Sequence, residues 1–330
     1  MKTMKWLLRR EFWEHKGMMF WAPIVVASLM LLFVSASTLW AATSGNWQNK
    51  YTHTTIDGKT TTTVSSAGSA FNDLPAEKVQ QAGEMVANGY LMAAAPLFLM
   101  LAVVVFFYCL GCLSDERRDR SILFWKSLPV SDTETVLSKV VTAALVAPLI
   151  TIAVGTFVSL LLLLVVGTGL ASTGVNMFGP VLSNSAFYMA PLQLLGLLPV
   201  YVLWALPTIG WLMMVSAWAK SKVFLWAVGT PLLTVAIVKW ADVLLHLGID
   251  MQWFLHDVIS RGLLGLIPGI WLPMTKVDAD LLVNHNTAVI GNVFTQSWMT
   301  LATPNVWIGA AAGAAMIFAA IRLRRWKDEG

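Results

Sequence analysis

Three places in this chain set charged or reactive side chains at spacings that could do chemistry, and each implies a different kind. Lys239, Asp242 and His246 recur at i, i+3 and i+7 in an apolar run, a spacing that puts them on one helical face. Ionisable groups inside a membrane are costly and often mark a proton or cation route. Counted from Val223, Lys239 lies about 24 Å along its helix, near the outer boundary, where a snorkelling lysine paired with Asp242 is the plainer reading. Cys109-Leu-Gly-Cys112 has the C-x-x-C spacing of redox and metal sites. It has no second pair and no nearby His, so two inert small residues in a packed helix fit it better. The third place runs Asp115, Glu116, Arg117, Arg118, Asp119, Arg120, then Ser121-Ile-Leu-Phe-Trp-Lys-Ser-Leu-Pro-Val-Ser-Asp132. A compact ionic and aromatic stretch suits docking and the transmission of force rather than bond-making.

The elements that hold these groups are mostly membrane helices. Of 330 residues 57% are hydrophobic and 12% charged, with 16 Trp and 16 Met, whereas a soluble domain carries about 25% charged residues. No Asp, Glu, Lys or Arg occurs in the 80 residues between Lys139 and Lys220. One span needs roughly 20 apolar residues, so that stretch holds two spans and a polar turn, Gly167 to Ser185. An all-α polytopic membrane protein with six transmembrane helices is expected: Met18–Ala42, Tyr90–Leu113, Val140–Gly167, Met189–Trp218, Val223–Leu247 and Pro304–Ile321. The first run is too long for a secretory h-region and reads as a retained anchor.

Basic residues orient the spans. The N-terminal arm, the second-to-third connection, the fourth-to-fifth turn and the tail hold 16 of the 22 Lys and Arg. By the positive-inside rule both termini and these connections face the cytoplasm. A net charge of +4 is small for a nucleic-acid binder, and topology accounts for it, so no nucleic acid is expected as a partner. One transmembrane domain spans 1–330. It has an interfacial helix at 1–17, outer segments at 43–89 and 248–303, and a cytoplasmic segment at 114–139.

In the first outer segment Tyr51–Ile56 and Lys59–Val64 flank Asp57-Gly58, a hairpin signal because the turn needs positive φ at both centres. Asn72 or Asp73 then caps a helix with Pro75 in its first turn. In the second, Leu263–Leu272 is broken by Pro268-Gly269 and is too short to span; an interfacial or re-entrant element fits. Pro96, Pro148, Pro199, Pro207 and Pro231 fall inside spans and are expected to kink them. Gly309-x-x-x-Gly313 lets another helix approach closely. Trp204, Trp211 and Trp218, with Leu197 in phase, form a stripe for packing, a subunit seam or a pathway.

Asp115 to Leu128 reads as a helix supported by Glu116–Arg120 and Asp115–Arg118 pairs. It carries Ile122, Leu123, Phe124 and Trp125, too bulky and apolar to lie in water without a partner or the inner leaflet. Pro129 stops it. Ser131-Asp-Thr-Glu134 is a capping box that restarts a helix through Lys139 into the third span. The arrangement is a surface helix, a hard corner and a lever.

The string Glu116-Arg-Arg, Ser121-Ile-Leu, Leu128-Pro-Val-Ser131 and Lys139 resembles the cytoplasmic loop of type-2 ABC transporter permeases. The six-span layout and the N-terminal helix carrying Trp6, Phe12 and Trp13 match as well. The specific part covers about 25 residues; the layout covers the chain. The resemblance implies a coupling helix docked on a separate cytosolic ABC ATPase. Candidate contacts are Glu116, Arg117, Arg120, Phe124, Trp125 and Lys126, with Leu128, Pro129, Val130 and Ser131 forming the corner. It also implies a second permease copy (homo- or heterodimer), ATP and Mg on the partner, a bacterial cytoplasmic (inner) membrane location, and export of an amphipathic or lipid-like substrate. The two large outer segments depart from compact members.

The chain itself is not expected to be an enzyme. A nucleotide site needs G-x-x-x-x-G-K-[ST], and the lone Gly58-Lys59-Thr60 has His53 where the first glycine belongs. H-E-x-x-H is absent and the five His are scattered, so no metal site or catalytic residue is expected. The competing class is an ion-coupled secondary transporter using Lys239 and Asp242, with His246 beside them.

Overall fold

The computed structural model describes residues 2–44, 50–56, 59–65, 71, 74–119, 130–246, 248, 250–284 and 287–327. Six helices among them are long and apolar enough to cross a membrane: Gly17–Thr43, Ala76–Arg118, Asp132–Ser172, Ser185–Trp218, Val223–Leu245 and Pro304–Trp326. This is the pattern of a multi-pass membrane protein. Five contain the run read from sequence; the fifth ends two residues sooner than expected. The hairpin turn Asp57-Gly58, the caps Asn72 and Asp73, and the stretch from Arg120 to Pro129 (with Phe124, Trp125, Lys126 and Leu128) lie outside the described residues.

Helix α1 (Lys2–Glu14) leads through a widened turn, Gly17–Trp21, into α2 (Ala22–Thr43). Strands β1 (Lys50–Ile56) and β2 (Lys59–Ser65) pair antiparallel, with Tyr51 opposite Val64. Helix α3 (Ala76–Gly89) starts one residue later than expected, because Pro75 is its extended N-cap. A tight turn, Tyr90–Ala94, joins it to α4 (Ala95–Gly111), and α5 (Ser114–Arg118) follows. Helix α6 (Asp132–Val141) opens on the expected capping box: Glu134 N–H donates to Ser131 Oγ at 3.2 Å and Ser131 N–H to Glu134 Oε2 at 3.3 Å. A widened turn, Thr142–Val146, continues it into α7 (Ala147–Ser172). Next come α8 (Phe178–Leu182), α9 (Ser185–Gly196), α10 (Leu198–Trp218) and α11 (Val223–Leu245).

The segment between the fifth and sixth spans folds as a helical hairpin against the bundle. Its first arm is α12 (Met251–Trp253), a widened turn Phe254–Ser260 and α13 (Arg261–Leu264). The chain reverses past Gly269, whose φ of 86° only glycine adopts freely, into α14 (Trp271–Met274). Strands β3 (Val283–Asn284) and β4 (Thr287–Ala288), α15 (Ile290–Met299) and the last span α16 (Pro304–Lys327) complete the described chain. The run Leu263–Leu272 does not span; Leu266, Trp271 and Leu272 are buried in the main core.

The prolines behave differently from expectation. Pro96, Pro148 and Pro199 sit at the start of α4, α7 and α10, where the long helix passes through a tight turn, a widened turn or a bend. Each missing N–H therefore falls where the regular helical ladder already changes register. Only Pro207 and Pro231, of the five, lie inside helices.

The main core joins α4, α6, α10, α16 and the hairpin. The most extensive helix contact is α10 against α16, and glycine makes it possible. A methyl group on Gly313 would fall 2.5 Å from the Leu206 carbonyl oxygen, and one on Gly210 would overlap the Gly313 carbonyl. Gly309 serves a different neighbour: its space is filled by the Arg261 guanidinium. The tryptophan stripe is packing. Trp204 is buried, the Trp211 indole donates to the Ala227 carbonyl at 2.9 Å, and Trp218 stacks edge-on with Trp226 at 5.0 Å. Two of the three therefore seam α10 to α11. A second apolar cluster holds α2 against α4 and α7.

Candidate functional site

Both roots of the segment from Arg120 to Pro129 end in one buried ionic cluster. Glu116, on α5, accepts from Arg324 at 2.7 Å and Arg10 at 3.2 Å, and Lys139 Nζ lies 3.0 Å from it. Lys139, on α6, also donates to Glu11 at 2.7 Å. Glu11 takes a second bond from the Tyr108 hydroxyl at 2.9 Å, while Arg324 Nε reaches Asp132 at 3.1 Å. Four separate pieces of chain (α1, α4–α5, α6 and α16) thus meet at the end of the bundle that carries both termini.

The burial is nearly complete: Glu11 is 0%, Lys139 1%, and Glu116 and Arg324 each 5% exposed. A buried charge is tolerated only with an opposite charge and hydrogen bonds beside it. Here Glu11, Glu116 and Asp132 face Arg10, Lys139 and Arg324, and Arg10 also pairs with the exposed Glu14 at 3.3 Å. His15 closes one side, its ring edge-on to Tyr108 at 4.8 Å between centroids.

Arg117 and Ser216 add a second fastening. The Arg117 guanidinium donates to the Ser216 and Ala219 carbonyls, the latter at 3.0 Å. Ser216 Oγ accepts from the Leu113 and Ser114 amides at 3.3 and 3.1 Å. The start of the segment is therefore fixed to the end of α10 as well. At its far side Val130 is half-buried and Ser131 is the α6 cap.

Of the residues singled out from sequence, Glu116 lies in this cluster, Arg117 fastens the adjoining turn to α10, and Val130 and Ser131 precede α6 on the other root. The expected helix over Asp115 to Leu128 is described only as α5, which ends at Arg118 with Asp119 in a turn; Arg120, Phe124, Trp125, Lys126, Leu128 and Pro129 lie outside the described residues. Lys239, Asp242 and His246 do not share one helical face. Helix α11 stops at Leu245, and His246 caps it in the left-handed conformation at φ 50°, its N–H on the Asp242 carbonyl at 2.9 Å. Lys239 and His246 are exposed and Asp242 half-buried, on the least buried of the six spans. Cys109 and Cys112 are free thiols sealed in the core. Among the described residues no group of three His, Cys, Asp or Glu could hold a metal.

Sequence reading missed Glu11, Arg10, Asp132 and Arg324, and gave Lys139 no partner. It also missed Arg261, buried under Trp204 with its guanidinium carbon 4.4 Å from the ring centre. Arg261 donates to the Asn305 carbonyl and, at 3.0 Å, to that of Val306. Burial lowers its pKa and Asp257 opposes that, yet an arginine stays charged. It pins that helical hairpin to the start of α16.

No family model matches the chain, and no curated protein or solved structure matches it either.

Proposed function

We propose that this chain is the membrane subunit of an ATP-driven ABC exporter. A separate cytosolic ATPase would dock on the segment from Arg120 to Pro129, and the chain would move an amphipathic or lipid-like substrate. One observation supports this most: both roots of that segment are clamped by buried ion pairs to the N-terminal helix and to the second, third and sixth spans. A surface loop with no mechanical duty needs no such foundation, because charges taken out of water cost several kcal/mol each before pairing. A push on a stretch so rooted moves helices rather than side chains. The resemblance of Glu116-Arg-Arg through Leu128-Pro-Val-Ser131 to the type-2 permease loop points the same way. In this reading both termini are cytoplasmic, the membrane is the bacterial inner membrane, two permease copies work with two ATPase chains, and ATP and Mg belong to the partner.

The ion-coupled alternative is weaker, because Lys239 lies exposed on α11, the least buried of the six spans. The test is purification of the full chain from its native membrane. A P-loop ATPase should come with it, and its ATPase activity should lose stimulation by the chain when Phe124 and Trp125 are both changed to Ala. Cargo movement in vesicles holding only this chain, with no nucleotide present, would refute the reading.

A further inference from the structure

Helix α1 has two faces with different duties. One is committed to the bundle: Leu7 and Glu11 are 1% and 0% exposed. Glu11 accepts from Lys139 at 2.7 Å and from the Tyr108 hydroxyl at 2.9 Å. At about 100° per residue, Lys5, Arg9, Trp13 and Trp6 fall within an arc of about 100° on roughly the opposite side. All four are exposed, Trp6 and Trp13 at 49% and 55%. Lys16, also exposed, adds to that face, its Nζ 5.3 Å from the centre of the Trp13 ring. The bonds to Lys139 and Tyr108 stop α1 from turning about its own axis, so the outward face is presented at a fixed angle.

Three cations share this face, and the acids of α1 do not answer them. Glu11 is sealed in the cluster, and Glu14 pairs with Arg10 at 3.3 Å. The face is a positive field edged with indoles. Ring contacts carry it into the first span: Phe12 meets Trp13 and Phe20 at 6.4 Å each, and Phe20 meets Trp21 at 5.9 Å. Phe20 and Trp21 are exposed on the way into α2. Tryptophan beside lysine and arginine at the end of a span is the composition of a headgroup layer. Each of these side chains has an apolar body and a polar end, and the cationic ends draw phosphate. Water alone would suit the cations but not the two exposed indoles beside them. An acidic protein surface would match the charge, yet it would have to sit on a face that runs unbroken into a membrane helix.

We infer that this face of α1 binds the headgroups of anionic phospholipids, with Lys5, Arg9 and Lys16 pairing with their phosphates and Trp6 and Trp13 seated among the glycerol esters. A zwitterionic leaflet offers the indoles the same depth but gives the cations no net charge, so a preference for anionic lipid is the mark of the site. One cation close to an anionic leaflet is worth a factor of about five. Since Glu11 joins the other face of α1 to Lys139, the leaflet's hold on α1 reaches the third span.

The experiment uses the full chain, without any ATPase, in phosphatidylcholine nanodiscs. The discs are doped with a diazirine-bearing phosphatidylglycerol or, in parallel, with the same amount of diazirine-bearing phosphatidylcholine. The α1 peptide should take at least about fivefold more label from the anionic probe, and high salt should shrink the excess. Lys5→Gln, Arg9→Gln and Lys16→Gln together should bring the ratio at α1 close to one. All three side chains are exposed, so Glu11 and Lys139 stay paired and the bundle should melt as the wild type does. Arg322→Gln with Arg325→Gln, which removes two exposed cations from the last span, should leave the α1 ratio unchanged. Equal labelling by the two probes, or a preference that survives the triple substitution, overturns the proposal. So does loss of the preference in the Arg322 and Arg325 variant, which would assign it to the whole charged end of the bundle rather than to α1. Displacement of the label by soluble glycerol phosphate would make the ligand a free phosphate instead of the leaflet, and also overturns it. Because no nucleotide or partner takes part, these outcomes are independent of whether the chain is an exporter.

Discussion

Lys139→Met tests the buried cluster directly. The substitution swaps an ammonium for an unbranched apolar chain of similar reach, so the loss is of charge rather than volume. Glu116 keeps Arg324 at 2.7 Å and Arg10 at 3.2 Å. Glu11 keeps the Tyr108 hydroxyl at 2.9 Å, while Arg10 stands off at 3.8 Å and His15 at 3.9 Å. The stranded charge is therefore Glu11, which is fully sealed. Removing one partner of a buried pair costs about 3–5 kcal/mol, and the surviving Tyr108 bond places the expectation near 3 kcal/mol, at the low end of that range. Replacing both members by neutral groups is often close to neutral, so adding Glu11→Gln to Lys139→Met should restore most of the loss. The chain supplies its own reporter: its two cysteines are both buried, so a thiol-reactive dye signals only when the bundle opens. At about 2–4 °C per kcal/mol, the single variant should melt roughly 6–12 °C early. Wild-type melting for Lys139→Met, or a double variant less stable than the single, would show that the cluster does not carry this energy.

The same thiol assay checks two further substitutions. Ser131→Ala removes the α6 cap and should cost about 0.5–2 kcal/mol, because Glu134 N–H loses its acceptor. Gly313→Ala sets a methyl group against the Leu206 carbonyl and Pro207 nitrogen, forcing α10 and α16 apart for about 1–3 kcal/mol. Gly179→Ala, with open space around it, should not lower the melting point. In a transport assay Asp242→Asn should leave nucleotide-driven export largely intact, whereas complete loss of transport would favour the ion-coupled carrier.

The spans were legible because apolar length alone decides them. The cluster was hidden because its members are far apart in sequence, with Arg324 bonded to Glu116 across 208 residues. A signal was nonetheless present. Each charge continues the buried stripe of its own helix: Glu11 follows Leu7, Glu116 follows Cys109 and Cys112, Lys139 sits between Val136 and Val140, and Arg324 follows Ile317 and Ala320. A charge in phase with a buried stripe must have a buried partner, and two acids and two bases in that position on one end of the bundle could have been matched. The His246 placement failed for a local reason. The spacing rule presumes an unbroken helix, and α11 ends one residue before it.

The sequence suggested a lever rigidly joined to the third span, and the joint is more particular than that. Between Lys139 and Pro148 the helix widens at Thr142–Val146, and widened turns are common at functional points of helices. Below that turn α6 is held by α1 and α16 through Lys139 and Asp132; above it α7 packs on α2 and α4. A load arriving at the segment from Arg120 to Pro129 would therefore divide. In the proposed exporter the ionic cluster would carry it sideways into α1, α4 and α16, while the widened turn would take up tilt before α7. Since α16 and α10 are locked by Gly313 and Gly210, the fourth span must follow the sixth. An apolar cavity is walled by α4, α7, α9–α10 and the hairpin, and Arg261 ties that hairpin to the start of α16. Its walls thus belong to both branches of the divided load, so any relative movement between the branches changes its width.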